Sequence, residues 1–277
     1  MKKFKQLGRR ILVSVFGIPL LLYSMFYGKV FFLVITNIVL AGALFELYRL
    51  AEKKGNHPLK TVGILFALLI SWDFYLYNAR WFQWILFLEL FLALIIGLFQ
   101  KEKNHLANIS VTIGGTLYIS FFSFFILIRQ FPNYIDQPYR MGGIFLIMVF
   151  VTIWICDTAA YFIGSSIGKH PLFLRVSPKK TWEGAVAGFV VSPLTVWVFK
   201  RYYLPELGVG DILFIGCLIG VVGQMSDLVE SLFKRDVEVK DSSTLLPGHG
   251  GMLDRFDSPL MVAPILYFYL FVRYFSN

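Results

Sequence analysis

The stretch Ser231–Asp257, SLFKRDVEVKDSSTLLPGHGGMLDRFD, is a dense polar cluster between two apolar runs, residues 210–226 and 259–276. Around a glycine-rich turn it carries four aspartates, four cations and one histidine: Asp236, Asp241, Asp254, Asp257, Lys234, Arg235, Lys240, Arg255 and His249. Ionisable groups beside membrane-length apolar runs are costly to place and usually have a function. The stretch therefore predicts a functional loop that joins two helices of a membrane protein.

The composition supports a membrane protein. The chain is 57% hydrophobic, 18% aromatic and only 16% charged, which is too apolar for a soluble domain of 277 residues. The net charge of +9 comes from cations in short loops between apolar runs. Cations in that position indicate contact with a membrane surface rather than with nucleic acid.

Nine apolar segments are present, and most approach the roughly 20 residues that a transmembrane helix needs. In lipid they must be helical, because an unpaired backbone group there costs several kcal/mol. We expect the first segment to be retained as a span rather than removed as a signal peptide. The segments are approximately 11–28, 30–48, 61–78, 81–99, 107–128, 141–163, 184–199, 210–226 and 259–276.

The predicted fold is thus an all-α, polytopic integral membrane protein of about nine transmembrane helices, in one domain over residues 1–277. A cytoplasmic N-terminus places most of the 26 Lys and Arg residues on the inside, in agreement with the positive-inside rule. With that orientation the two long polar loops, 164–183 and 227–258, both face the cytoplasm. We expect the protein to lie in the inner, cytoplasmic membrane of the cell.

Carboxylates at the ends of the last two spans suggest a metal site. Asp227, Glu230 or Ser231, and Lys234 share one face if the eighth helix continues. Asp254 and Asp257 precede the ninth span. Three carboxylates at the mouths of two helices could hold a hard cation such as Mg²⁺. For Asp257 the alternative is a helix cap, since Ser258 and Pro259 follow it.

The turn Pro247–Gly251, PGHGG, could bring backbone N–H groups against phosphate oxygens. It is not a P-loop, because no Gly-Lys-Ser/Thr follows it. His249 could donate to a phosphate or to a leaving pyrophosphate, and a structural hydrogen bond within the turn is an equal alternative.

A second polar block, Ser177–Gly184, has the sequence SPKKTWEG. Ser177 and Pro178 are typical of an N-cap and a first helical residue. Lys179 and Lys180 would then lie at a helix N-terminus, where they favour a bound phosphate. Contact with anionic lipid headgroups is the alternative.

Asp157 and Glu89 are ionisable residues inside apolar segments. Asp157 shares a face of the sixth segment with Tyr161, and we expect it to orient a lysine or the metal site, or to pair with a neighbouring helix. Glu89 lies in the fourth segment, and the sequence assigns it no function.

Both polar blocks resemble those of the phosphatidate cytidylyltransferases, the integral-membrane CDP-diacylglycerol synthases. The resemblance implies transfer of CMP from CTP to phosphatidic acid, which gives CDP-diacylglycerol and pyrophosphate. It implies Asp227, Asp254 and Asp257 as the metal-binding set and Mg²⁺ as the cofactor, and it leaves open a second, monovalent cation and a homodimer.

The site expected from the blocks and the resemblance has two further groups. The predicted catalytic residues are Lys234, Arg235, Lys240, Asp241, His249 and Arg255. The predicted substrate-binding residues are Ser177, Lys179, Lys180, Thr181, Ser231, Gly248, Gly250, Gly251 and Asp157. The phosphatidate phosphate is already an anion, so the reaction needs alignment and charge neutralisation rather than a general base.

Three other classes of membrane protein compete with this interpretation. A CTP-dependent polyprenol or diacylglycerol kinase would transfer the γ-phosphoryl group, and the complete block from PGHGG to DRFD argues against it. A CDP-alcohol phosphotransferase would need an Asp-Gly-x-x-Ala-Arg motif, which the sequence lacks. An ion-coupled transporter would explain Asp157 and Glu89 but not the long charged loops.

Overall fold

The computed structural model describes the backbone of residues 2–134, 137–243, 245 and 250–275, and the side chains from residue 14 onward except at positions 134 and 275. Within this part the chain forms α1 (Lys2–Tyr27), α2 (Lys29–Lys53), α3 (Lys60–Tyr77), α4 (Phe82–Phe99), α5 (His105–Ser120), α6 (Phe124–Gln130), α7 (Tyr139–Ile167), β1 (Pro171–Phe173), β2 (Ser177–Thr181), α8 (Trp182–Tyr202), α9 (Val209–Leu218), α10 (Gln224–Asp236) and α11 (Leu253–Phe275). Turns of 3₁₀-helix follow α5 and α6, and a π-helical turn, Ile219–Gly223, joins α9 to α10.

Eight helical segments of the described chain are long and apolar enough to cross a membrane. They are Lys29–Lys53, Lys60–Tyr77, Phe82–Phe99, His105–Asn133, Tyr139–Ile167, Trp182–Tyr202, Val209–Asp236 and Leu253–Tyr274. The first predicted segment, 11–28, falls in α1, where Ser14–Tyr27 forms a shorter apolar stretch. Helices satisfy their own backbone groups, as lipid requires. The predicted all-α, multi-pass membrane fold is confirmed.

The chain forms two compact units. The first unit contains residues 1–24, 28–127 and 233–256, and the second contains residues 25–27, 128–232 and 257–277. The first unit thus combines α2–α5 with the end of α10 and the first turn of α11. The second unit combines α7–α9 with the start of α10 and most of α11.

A buried polar network joins α2, α4 and α5 in the first unit. The Tyr48 hydroxyl donates to the Thr112 carbonyl at 2.6 Å and lies 3.0 Å from Thr116 Oγ1. Thr116 Oγ1 lies 2.6 Å from Glu89 Oε1. Glu89, which the sequence leaves without a role, is therefore a partner in this network, and its fully buried carboxyl gains a hydrogen bond that reduces the cost of burial.

Glycines allow close helix packing in the second unit. A Cβ on Gly184 would lie 2.5 Å from the Ala160 carbonyl oxygen of α7, and one on Gly188 would lie 2.9 Å from Cys156 Sγ. Glycines at four-residue spacing let helix backbones approach closely. Close packing of this kind drives helix association in lipid, where the hydrophobic effect does not. This contact fixes α8 against α7 and so places the hairpin that precedes α8.

The predicted start of α8 is wrong. Ser177 is not an N-cap, because residues Ser177–Thr181 form β2, which pairs with β1 in an antiparallel hairpin. Thr181 caps the helix instead, and its hydroxyl accepts from the Gly184 N–H at 3.2 Å. Glu183 then lies in the first turn, where its negative charge interacts favourably with the helix dipole. Lysines in that turn would interact unfavourably with the dipole.

The capping alternative for Asp257 is also wrong. Helix α11 begins at Leu253, so Asp257 lies in its second turn and Pro259 lies inside the helix. Of the predicted polar stretch 227–258, residues up to Asp236 belong to α10 and those from Leu253 belong to α11. The connecting segment is therefore shorter than the sequence suggests, and its two ends are held by buried carboxylates.

Candidate functional site

A group of three carboxylates lies in the second unit. Asp227 and Glu230 lie one helical turn apart on α10, and Asp257 lies on α11. Each offers one oxygen, and these oxygens lie within 4.8 Å of one another. Glu230 is fully buried, while Asp227 and Asp257 keep partial access to solvent. We call these three residues the carboxylate cluster.

The β1–β2 hairpin supplies a cation to this cluster. Lys180 Nζ, at the end of β2, donates to Asp227 Oδ2 at 2.5 Å. Ser231 Oγ donates to the other oxygen of Asp227 at 3.4 Å. Asp157 on α7 interacts electrostatically with Asp227 and Lys180, and its side chain forms a hydrogen bond with that of Ser258. Three elements distant in sequence thus meet at Asp227.

Hydrogen bonds between helices hold the cluster in place. Gln224, the first residue of α10, donates to the Ala185 carbonyl of α8 at 3.0 Å. Ser226 Oγ donates to the Asp257 carbonyl at 2.5 Å and lies 3.4 Å from the Met261 N–H. The π-helical turn before Gln224 is a feature common near functional sites, because it turns the following residues to a new face.

A second group of polar side chains lies in the first unit. Asp254, in the first turn of α11, accepts from Lys234 Nζ at 2.7 Å, from the Ser242 N–H at 3.0 Å and from the Gly251 N–H at 2.7 Å. The Asp254 side chain is only 7% exposed and that of Lys234 only 11%. A buried carboxylate with a lysine and two backbone donors is well stabilised. We call this group the loop cluster.

Glu46, on α2, also belongs to the loop cluster. Its carboxylate accepts from Ser242 Oγ at 2.9 Å and from Ser243 Oγ at 2.5 Å. It also accepts from the N–H groups of Met252 and Leu253, at 2.9 and 2.8 Å. Glu46 is 1% exposed. It therefore joins the middle of the segment between α10 and α11 to the start of α11.

The other predicted residues have varied positions. Arg235 is exposed and donates to the Val239 carbonyl at 3.0 Å. Exposed side chains also include Lys179, Lys240, Asp241 and Arg255. Ser177 and Thr181 lie at the two ends of β2, and Gly250 and Gly251 precede α11. Gly248 and His249 lie outside the described residues.

The structure groups the predicted metal residues differently from the sequence. Asp227 and Asp257 come together, with Glu230 as the third carboxylate, whereas Asp254 belongs to the first unit and the loop cluster. Glu230 has a sequence signal, its three-residue spacing from Asp227. Glu46 has one too, as an isolated glutamate in an apolar run, although its partners about 200 residues away have none.

The donor set of the carboxylate cluster suits a divalent metal ion. All three ligand atoms are carboxylate oxygens, which hard cations such as Mg²⁺ prefer. Oxygens on opposite sides of an octahedral Mg²⁺ are about 4.2 Å apart, close to the spread within the cluster. The partial exposure of Asp227 and Asp257 leaves a side from which water and phosphate oxygens can reach the ion.

Comparisons with known proteins identify the family. Residues 8–273 match the model of the cytidylyltransferase family. The chain is 34% identical over 271 residues to the phosphatidate cytidylyltransferase of Bacillus subtilis, covering 95% of the chain and 97% of that protein. It is 31% identical to the enzyme of that name from Synechocystis, over 95% of the chain and 96% of the relative. The predicted resemblance is confirmed, and this multi-pass membrane protein belongs to the cytidylyltransferase family.

Proposed function

We propose that this protein transfers CMP from CTP to phosphatidic acid and releases pyrophosphate. The observation that carries the proposal is the carboxylate cluster with Lys180 at Asp227, within a chain that matches cytidylyltransferases over nearly its whole length. A cation-binding carboxylate group next to a lysine is the arrangement that transfer between two phosphate compounds needs, since both reactants are anions.

The transfer step forms one phosphorus–oxygen bond and breaks another. A phosphatidate phosphate oxygen attacks the α-phosphorus of CTP, and the bond from that phosphorus to the bridging oxygen of pyrophosphate breaks. No proton has to be removed from the nucleophile, so the side chains act by binding and orienting. Lys180, held at the cluster by Asp227, is placed to bind a phosphate oxygen, and Lys179 beside it adds positive charge.

Asp227, Glu230 and Asp257 would hold a divalent cation, Mg²⁺ in our proposal, and when bound it neutralises the triphosphate and stabilises the departing pyrophosphate. The role of Asp254 as a further ligand stays a prediction. Its carboxylate accepts three hydrogen bonds in the loop cluster. The predicted roles of Arg235, Lys240 and Arg255 rest on their exposed positive charges.

An isotope experiment tests the reaction. The detergent-purified protein, given phosphatidate and CTP labelled at the α-phosphorus, should incorporate label into lipid. CTP labelled at the γ-phosphorus should leave the lipid unlabelled and give labelled pyrophosphate. Transfer of γ-label to a lipid alcohol would establish a kinase instead, and no lipid labelling with either substrate would refute the proposal.

Substitutions test the metal ligands. Asp227→Asn and Asp257→Asn should each raise the Mg²⁺ concentration needed for half-maximal transfer. Loss of a residue that hydrogen-bonds to a metal ligand lowers metal affinity by roughly 10–100-fold, and loss of a ligand itself should have at least that effect. The reason is that a neutral amide is a poorer ligand for a hard cation. Asp236→Asn is the control, since that exposed residue pairs with Lys54 and lies outside the carboxylate cluster.

The same titration on Glu230→Gln and Asp254→Asn identifies the third ligand. A ligand should shift the Mg²⁺ requirement, whereas a carboxylate that only folds the loop should lower turnover at every Mg²⁺ concentration. Unchanged Mg²⁺ dependence in both Asp227→Asn and Asp257→Asn would rule out the carboxylate cluster as the metal site.

Lysine substitutions test phosphate binding by the hairpin. Lys180→Ala should lower kcat/KM by roughly 10–100-fold, the loss expected for one charge-assisted phosphate contact of about 1.5–3 kcal/mol. Lys179→Ala is the matched neighbour, and its smaller loss should reflect greater exposure. Assays in neutral detergent exclude anionic headgroups other than that of the phosphatidate substrate. Full activity of the double variant there would contradict a phosphate site on β2.

Orientation is a further part of the proposal. We propose that the protein lies in the inner membrane and that the hairpin faces the cytoplasm, where CTP is found. We also keep the homodimer that the family resemblance leaves open as part of the proposal. Helix α8 separates the hairpin from the segment that contains Glu206 by 21 residues, or about 31 Å. That length spans the hydrocarbon core of a bilayer.

Cysteine labelling tests the orientation. Arg175→Cys and Glu206→Cys, each in a variant without Cys156 and Cys217, should react with an impermeant thiol reagent from opposite sides of sealed vesicles. Both positions are exposed, so the reagent can reach them. In inside-out vesicles only Arg175→Cys should react at first, and the reverse pattern would invert the proposed topology.

A further inference from the structure

We infer that Glu46 is a positioning residue for the transfer reaction, which folds the segment between α10 and α11 so that Asp254 and Lys234 are held in one fixed arrangement. The inference rests on the proposed function. Glu46 lies on α2, and its hydrogen-bond partners are 196 to 207 residues further along the chain.

The Glu46 carboxylate is saturated with hydrogen bonds. Two carboxylate oxygens offer about four lone-pair sites. Ser243 Oγ and the Met252 N–H donate to Oε1, while Ser242 Oγ and the Leu253 N–H approach Oε2. No site remains for a metal ion or a phosphate-bound group, so Glu46 acts through other residues rather than on the substrate.

Glu46 also stabilises the start of α11. The first N–H groups of a helix have no partner within the helix, and an acceptor at that end stabilises it. Residues Gly250, Gly251 and Met252, which precede Leu253, carry no side-chain acceptor suited to this role. Glu46 supplies one from another helix, and its negative charge also favours the positive end of the helix dipole.

Ser242 connects Glu46 to Asp254. Ser242 Oγ lies 2.9 Å from Glu46 Oε2 and 3.0 Å from Asp254 Oδ2, so its hydroxyl lies between the two carboxylates. The backbone passes tightly at Gly251, where a Cβ would collide with Ser242 Oγ and Glu46 Oε2. Because Asp254 accepts from Ser242 and Gly251, movement of this segment would move Asp254 and its partner Lys234.

The test compares Glu46→Gln with Glu52→Gln, the same change on the same helix at a half-exposed residue that pairs with Lys60. Glutamine keeps one acceptor oxygen but turns an amide N–H₂ toward two donors. We expect kcat for α-label transfer to fall by about 10–100-fold, as for other residues that orient a site, with an unchanged KM for CTP. Glu52→Gln should retain its kcat.

Hydrogen exchange supplies the second measurement. In Glu46→Gln the amides of Met252 and Leu253 should exchange faster, while the midpoint of thermal unfolding stays near that of the unaltered protein. If Glu46→Gln does not fold, Ser243→Ala, which removes one donor to Oε1, should show the same faster exchange with a smaller loss of kcat.

The outcomes separate the two proposals. Faster exchange with full kcat, or a loss of kcat that only matches a loss of folded protein, would overturn the positioning role and leave the proposed function standing. Unchanged exchange and unchanged kcat would overturn it as well. If the unaltered protein transfers no α-label, the proposed function fails and this role fails with it.

Discussion

A charged group near a membrane is stable only when other groups supply hydrogen bonds or opposite charge. This constraint determines how the buried carboxylates of the structure are arranged. Removing a carboxylate from water costs several kcal/mol unless donors replace the lost hydration. Glu46 gains four hydrogen bonds, and Asp254 gains a lysine and two backbone N–H groups. Each of these carboxylates thereby fixes the backbone that supplies its donors, so the connecting segment takes its form from the charges it satisfies.

The carboxylate cluster meets the same constraint in a different way. Asp227 has Lys180 and Ser231 as partners, but Asp227 and Asp257 keep partial access to solvent. A group of acidic oxygens that remains accessible can exchange partners, whereas the saturated Glu46 carboxylate cannot. The contrast separates side chains suited to binding a cation from those suited to holding the chain, and it is visible in the hydrogen bonds of each residue.

The sequence is sufficient for the features that follow from apolar runs. Segment positions and the all-α fold follow from the length and periodicity of the apolar runs. The residue at which a helix starts is harder to predict from sequence, because it depends on contacts with other parts of the chain. Ser177 and Pro178 have the residue types of a helix start, but pairing with β1 makes them a strand, and Thr181 with Glu183 is the better cap. A cap from the residue types alone cannot compete with a strand partner that the local sequence does not reveal.

The site shows the same limit at longer range. The motif residues Asp227, Asp254 and Asp257 stand out because they lie close together in the sequence, yet the structure places Asp254 with Lys234 and Ser242 and gives Glu230 to the other two aspartates. Glu46 lies far from either motif, and its partners are found only through the contacts of the folded chain. A sequence motif therefore identifies candidate site residues, but the residues that hold such side chains in place lie wherever the fold brings a suitable acceptor. In this protein that acceptor comes from α2, a helix whose sequence is otherwise that of a membrane span.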